Sequence, residues 1–175
     1  MRMIIKELIN PLTEEYFTLK QNIFSSEFPW YISKNTTGEY KKDTFSHGVV
    51  KRPKRNFHVP LITSGHFDLI NRVLMQIFEH NNLDVSVILR IAINLSINYG
   101  GGLACDPHHD HLFSHKNLLI YLNQASGPTV VINSENNSEE YFHPKEDAIV
   151  TFEGEHYHYQ PNVGEKRVVL VATYI

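Results

Sequence analysis

His108 and Asp110 stand two residues apart in the run Pro107-His108-His109-Asp110. In an extended segment, residues two apart share a face, so a neutral imidazole and a carboxylate are offered side by side. With one distant histidine, such a pair makes the two-histidine, one-carboxylate triad that holds non-haem iron(II) and leaves three adjacent coordination sites open. Forty-eight residues after Asp110 comes His158, in His156-Tyr157-His158-Tyr159-Gln160-Pro161, and nine residues further lies Arg167. A guanidinium there can grip a carboxylate through two parallel hydrogen bonds, which lysine cannot do. Metal donors near one end of a barrel and an inward arginine deeper inside describe a pocket for a small dicarboxylic acid. Tyr99, on the turn before the donor strand, is placed to give that acid a phenolic hydrogen bond.

An isolated H-x-D arises by chance about 0.4 times in a chain of this composition, so its weight comes from its company. His156 competes with His158 as the distal donor; the nine-residue step to Arg167 and the following Gln-Pro favour His158. His109 points away from His108, and is a candidate substrate contact with Arg90. His111 and His115 read as neighbours of the site and not as ligands.

The positioning elements follow from patterning. Leu12, Tyr16, Leu19 and Ile23 recur at helical spacing behind a capping Thr13, and Phe67, Ile70, Leu74 and Ile77 do so behind Ser64, until Asn81-Asn82. Between Lys41 and Arg55 six basic residues face one acid around Gly48 and Pro53, a polar loop by composition. From Val85 the period changes to two, with Val85, Val87, Leu89, Ile91, Ile93, Leu95 and Ile97 on one face. The other face carries Arg90 and Asn94, odd choices for an ordinary core. Short apolar runs at Leu118–Leu122, Thr129–Asn133, Ala148–Phe152 and Arg167–Tyr174 read as strands, punctuated by Gly and Pro. Helices followed by many strands predict a mainly β chain, a sandwich or jelly roll packed outside by N-terminal helices.

Length and composition agree with one domain of 175 residues, divided into a helical N-terminal region over residues 1–82 and a β core over residues 83–175. Nineteen acidic against sixteen basic side chains, net charge −3, argue against a nucleic-acid partner, and no apolar run is long enough for a membrane span. The single Cys105 and the lack of a signal-like start predict a reduced, cytoplasmic protein. Oligomeric state is not readable.

The chain resembles the 2-oxoglutarate/Fe(II)-dependent oxygenases, and within them the prolyl 4-hydroxylase-like branch. Asn98-Tyr99-Gly100…Pro107-His108-x-Asp110 is similar to that branch's N-Y-G…P-H-x-D segment, and Tyr121-Leu122-Asn123 to its Y-L-N strand. His158…Arg167 resembles the distal histidine and the 2-oxoglutarate-binding arginine. Phe28-Pro29-Trp30-Tyr31 and Arg90-x-x-x-Asn94 look like short oxygenases found in phages and marine bacteria, whose setting would be the host cytoplasm.

The resemblance implies a double-stranded β-helix. It implies iron(II) on His108, Asp110 and His158, 2-oxoglutarate as cosubstrate at Arg167 with Tyr99 or Asn94, dioxygen, and ascorbate as a candidate reductant. Ile120 aligns where some relatives carry a second tyrosine for 2-oxoglutarate, and Ser126-Gly127-Pro128 replaces a glycine pair. The branch favours hydroxylation of a peptidyl proline, with a free amino acid or other small metabolite as the alternative substrate. The rivals from other classes are a jelly-roll binding module without catalysis and a cupin-like metalloprotein without cosubstrate.

Overall fold

The computed structural model describes residues 4–34, 43–52, 60–98 and 104–175. Its elements are β1 (Lys6–Leu8), α1 (Glu14–Phe24), β2 (Tyr31–Lys34), β3 (Asp43–Lys51), β4 (Leu61–Ile62) and α2 (Phe67–His80), followed by strands alone. These are β5 (Ile88–Ile97), β6 (Lys116–Tyr121), β7 (Thr129–Ile132), β8 (Glu139–Phe142), β9 (Ile149–Glu153), β10 (His156–His158) and β11 (Lys166–Tyr174). Among the described residues the larger sheet runs β1-β9-β6-β11-β5-β3-β2, with β4 on β3, and the smaller runs β10-β7-β8. This is the expected mainly β architecture of the double-stranded β-helix, with two helices outside.

Alternation decides which face of the larger sheet meets which partner. Ile91, Ile93, Leu118, Ile120, Leu170 and Ala172 turn outward and form one core with Tyr16, Leu19 and Ile23 of α1 and Ile70, Leu74 and Ile77 of α2. Burying each such aliphatic side chain contributes about 1.5–3 kcal/mol. Thr13 caps α1 by accepting from the Tyr16 amide at 3.3 Å, and its hydroxyl donates to Gln76 of α2 at 2.7 Å, tying the helices together.

The inward face is set by antiparallel register. Across β11 and β5, Arg167 lies opposite Ser96, Val169 opposite Asn94, Val171 opposite Ala92 and Thr173 opposite Arg90. Directly opposed residues share a face, so Arg167, Asn94 and Arg90 all belong to the side away from the helices. There Leu119, Tyr121, Val150, Val169 and Val171 pack with Val131 and Phe142 of the smaller sheet into a second core.

Three expectations change. The basic stretch 41–55 is not a loop where it is described: Asp43–Lys51 is a strand between β2 and β5. Its Thr44, Ser46 and Gly48 hide the alternation, because small and polar residues fill the side of the strand that lies opposite Asn94 and Ala92 on the inward face. The N-terminal region up to residue 82 is likewise not simply helical, since β1 to β4 all join the larger sheet. Ser64 does not cap α2. The helix starts after His66, while the Ser64 hydroxyl accepts from the His66 amide at 3.1 Å and is bonded to His47 Nε2 at 2.7 Å.

Candidate active site

The segment leading to Asp110 reaches the smaller sheet through two isolated bridges, Ala104 with Tyr159 and His108 with His156. The His108 and His156 amides and carbonyls exchange hydrogen bonds of 2.9 and 3.0 Å. His108 and His156 are therefore opposed on one face, and Asp110 and His158 follow two residues along on the same side. The His108 and His156 rings are 4.6 Å apart between centroids, and the His108 and His158 rings 6.2 Å.

Asp110 is the electrostatic centre. Its Oδ1 accepts from Arg90 Nη1 at 3.0 Å and from Arg52 Nη2, while Oδ2 lies 3.7 Å from His156 Nε2. Burial alone would raise its pKa, but Arg90 and Arg52 outweigh that and hold the carboxyl below its ordinary range. The imidazoles go the same way for the opposite reason. Burial pushes His156 down to about 4, and burial with the nearby Arg167 charge pushes His158 well below its ordinary value. Both rings are thus neutral at pH 7, the form in which imidazole ligates a metal.

Arg167 stands at the other end of this row. It is only 2% exposed, and its Nη1 donates to the carbonyls of Gly127 at 2.8 Å and Tyr159 at 3.0 Å. Its Nε is buried without a partner, and burial works against its charge. Tyr121, Cys105 and His158 are ionisable groups beside it, and among the described residues no carboxylate acts on it.

The other candidates separate clearly. Asn94 sits on the inward face between Val169 and Ser46. His109 is exposed. Tyr99 lies outside the described residues. His111 bonds Thr173 Oγ1 at 2.8 Å and stacks edge-on against His115.

Sequence reasoning misses two groups at the site. Arg52 is hidden in what reads as a loop. Tyr121 is hidden because the resemblance sets Ile120 in the cosubstrate position; Ile120 faces the helices, whereas Tyr121 is inward and donates its hydroxyl to Thr129 at 2.9 Å. Only the register reveals it: Val169, two residues beyond Arg167 on the inward face, pairs with Tyr121.

The donors present, imidazoles and one carboxylate, suit iron(II), and the unpartnered Arg167 Nε suits the far carboxylate of 2-oxoglutarate. Among the described residues no three donors already stand in a metal-binding arrangement. Asp110 is held by arginines, and His158 Nδ1 by Cys105 Sγ at 2.8 Å. Beside the row lies an open groove of about 1400 Å³, lined by His109, His111, Phe113, Tyr141, Phe142 and Phe152 among others. It adjoins the donors without including His108 or Asp110.

No family model and no curated protein matches the sequence. Solved structures do match the fold. A 2OG-Fe(II) oxygenase family oxidoreductase from Burkholderia pseudomallei superposes at TM-score 0.68 with 15% identity, covering 91% of this chain and 76% of its own. The non-haem alpha-ketoglutarate-dependent epimerase SnoN of nogalamycin biosynthesis gives TM-score 0.65 at 10% identity over 99% of this chain and 78% of its own. A Trichoplax adhaerens prolyl hydroxylase, solved with a hypoxia inducible factor peptide, gives 0.64 at 12% over 98% and 83%. The fold is shared with these oxygenases. At such identities the chemistry rests on the site itself.

Proposed function

We propose that this chain is an Fe(II)- and 2-oxoglutarate-dependent dioxygenase that hydroxylates an unactivated C–H bond. The observation that carries this reading is Arg167, a buried guanidinium with an orphaned Nε and, among the described residues, no carboxylate partner, at the inner end of a row of imidazoles and one carboxylate. A binding module has no use for such an arginine, and a cupin without cosubstrate leaves it unexplained.

His108, Asp110 and His158 hold the metal in this reading, and Arg167 takes the distal carboxylate of 2-oxoglutarate, with Asn94, Tyr99 and Tyr121 around it. Asp110 offers Oδ2 to the metal while Oδ1 keeps its arginines, which fix the carboxylate plane and its ionised state. Iron(II) bound there supplies the activation of dioxygen, coupled to decarboxylation of 2-oxoglutarate to succinate. The protein positions, excludes water from the Arg167 end and keeps the His158 ring unprotonated. One observation favours a second assignment: His156, not His158, is the imidazole nearest Asp110, at 3.7 Å.

The substrate we favour is a peptidyl proline, following the branch resembled and the peptide bound by the Trichoplax neighbour. A free amino acid or small metabolite is the alternative, and the epimerase neighbour shows how widely the fold is used. The setting proposed is the cytoplasm; among the described residues no helix is long and apolar enough to cross a membrane.

The test is anaerobic addition of Fe(II) and then 2-oxoglutarate, watching for the weak visible charge-transfer band of the chelate. Wild type should show it, His108→Ala should lose it, and Arg167→Ala should need at least about tenfold more 2-oxoglutarate, as expected for losing a charge-assisted bidentate contact. His158→Ala against His156→Ala identifies the distal ligand, since only one should abolish the band. No band in folded, iron-loaded wild type removes the oxygenase reading.

A further inference from the structure

Arg52 and Arg90 both donate to one oxygen of Asp110, and Asp110 is the one carboxylate in ion-pair contact with either among the described residues. Two positive charges thus share one negative charge at a place where Asp110 is 4% and Arg90 21% exposed. Like charges held together in a partly dry site are costly unless a further anion joins them. Each guanidinium carries five N–H groups, and only one nitrogen of each meets Asp110. Among the described residues, two planar forks are left with unspent donors beside the metal-ligating row.

The missing anion is not the cosubstrate already given to Arg167. On β5, Arg90 is six residues from Ser96, the residue opposite Arg167. Six residues of strand set the two arginines about 20 Å apart at the backbone, and neither is among the charges that act on the other. The row of donors has a cationic group at each end, one closed and one open. Arg167 is closed off from solvent, whereas the Arg52 side chain is 45% exposed, so the Arg52–Arg90 end faces whatever enters from outside.

We propose that the substrate is an acid, and that Arg52 and Arg90 hold its carboxylate while its reactive C–H bond lies over the metal site. This rests on the oxygenase reading and narrows its substrate class. The carboxylate has two sources: the α-carboxylate of a free amino acid, or an Asp or Glu side chain beside the target residue of a peptide. A neutral peptidyl proline with no acidic neighbour is disfavoured.

The test uses matched probes on the whole protein under argon, with and without Fe(II) and 2-oxoglutarate, read by calorimetry. One arm compares free L-amino acids, L-proline included, with their amides. The other compares proline peptides carrying Glu next to proline with the same peptides carrying Gln. In at least one arm the acid should bind at least tenfold more tightly than its neutral partner, and which arm does so identifies the source. Arg52→Gln and Arg90→Gln should each remove most of that preference, and Arg52→Lys should restore part of it, because lysine keeps the charge and loses the fork. Arg52 is half-exposed at a strand end, so its variants test the idea even where Arg90→Gln does not fold. Equal binding of acid and neutral partners in both arms, or a preference that survives Arg52→Gln, overturns the proposal; the arginines then only position Asp110. Loss of the chelate band in wild type is a separate failure, that of the oxygenase reading, and the metal-free titrations still decide the acid preference.

Discussion

At the scale of single residues, Asp110, His156 and His158 are each held in one protonation state by their surroundings. His156 has a folded-state pKa of about 4 against an ordinary 6.5, and His158 shifts in the same direction. A depressed histidine pKa means the unfolded chain binds more protons between the two values, so stability rises with pH there. The metal-free protein should therefore keep its full histidine contribution above about pH 6.5 and lose it towards pH 4, by up to about 3 kcal/mol for His156 alone. Asp110 is depressed too, and its contribution is lost as pH falls through the ordinary carboxyl value and below, so the larger part of the change between pH 7 and pH 4.5 belongs to the imidazoles. Urea unfolding at pH 7 and pH 4.5 measures the difference, and His156→Asn should shrink it. A stability that is flat over that interval would contradict the burial assigned to these rings.

At the scale of elements, the site depends on turns that bring backbone carbonyls to Arg167. Gly127 has φ +78°, and an added Cβ would lie 2.5 Å from the Gln160 carbonyl oxygen. Gly127→Ala should cost about 1–3 kcal/mol by thermal or chemical unfolding. It should also weaken 2-oxoglutarate binding, because the Gly127 and Tyr159 carbonyls that orient Arg167 are both displaced. Gly48 in β3 is the contrast: its added Cβ meets nothing within 4 Å. Gly48→Ala should change stability by no more than about 1 kcal/mol, and in the stabilising direction. A Gly127→Ala protein as stable as Gly48→Ala would mean that the 126–128 turn does not anchor the arginine.

At the scale of the whole molecule, a metal on His108 and a distal histidine would join two segments nearly fifty residues apart in the chain, where His108 bridges to His156 of the smaller sheet. Ligand that binds only the folded state stabilises it by about 2.7 kcal/mol at a hundredfold excess over Kd, or about 5–10 °C in Tm for a domain of this size. Wild type should show such a rise with Mn(II) plus 2-oxoglutarate and His108→Ala should not; equal rises in both would place the metal elsewhere. The period of two in 88–97, the helical stripes of α1 and α2 and the spacing of His108, Asp110, His158 and Arg167 were all legible in the chain, because alternation and spacing are local properties. The inward direction of Arg167 was legible for the same reason, and its burial bears that out. Tertiary structure alone decided that the basic stretch is a strand whose end carries Arg52 to Asp110, 58 residues away in sequence. It also decided that Tyr121 and not Ile120 faces inward, and that His156 stands closest to Asp110. Those contacts are set by cross-strand register, and register is fixed by how whole sheets pair and bury their faces, which no local pattern in a single strand contains.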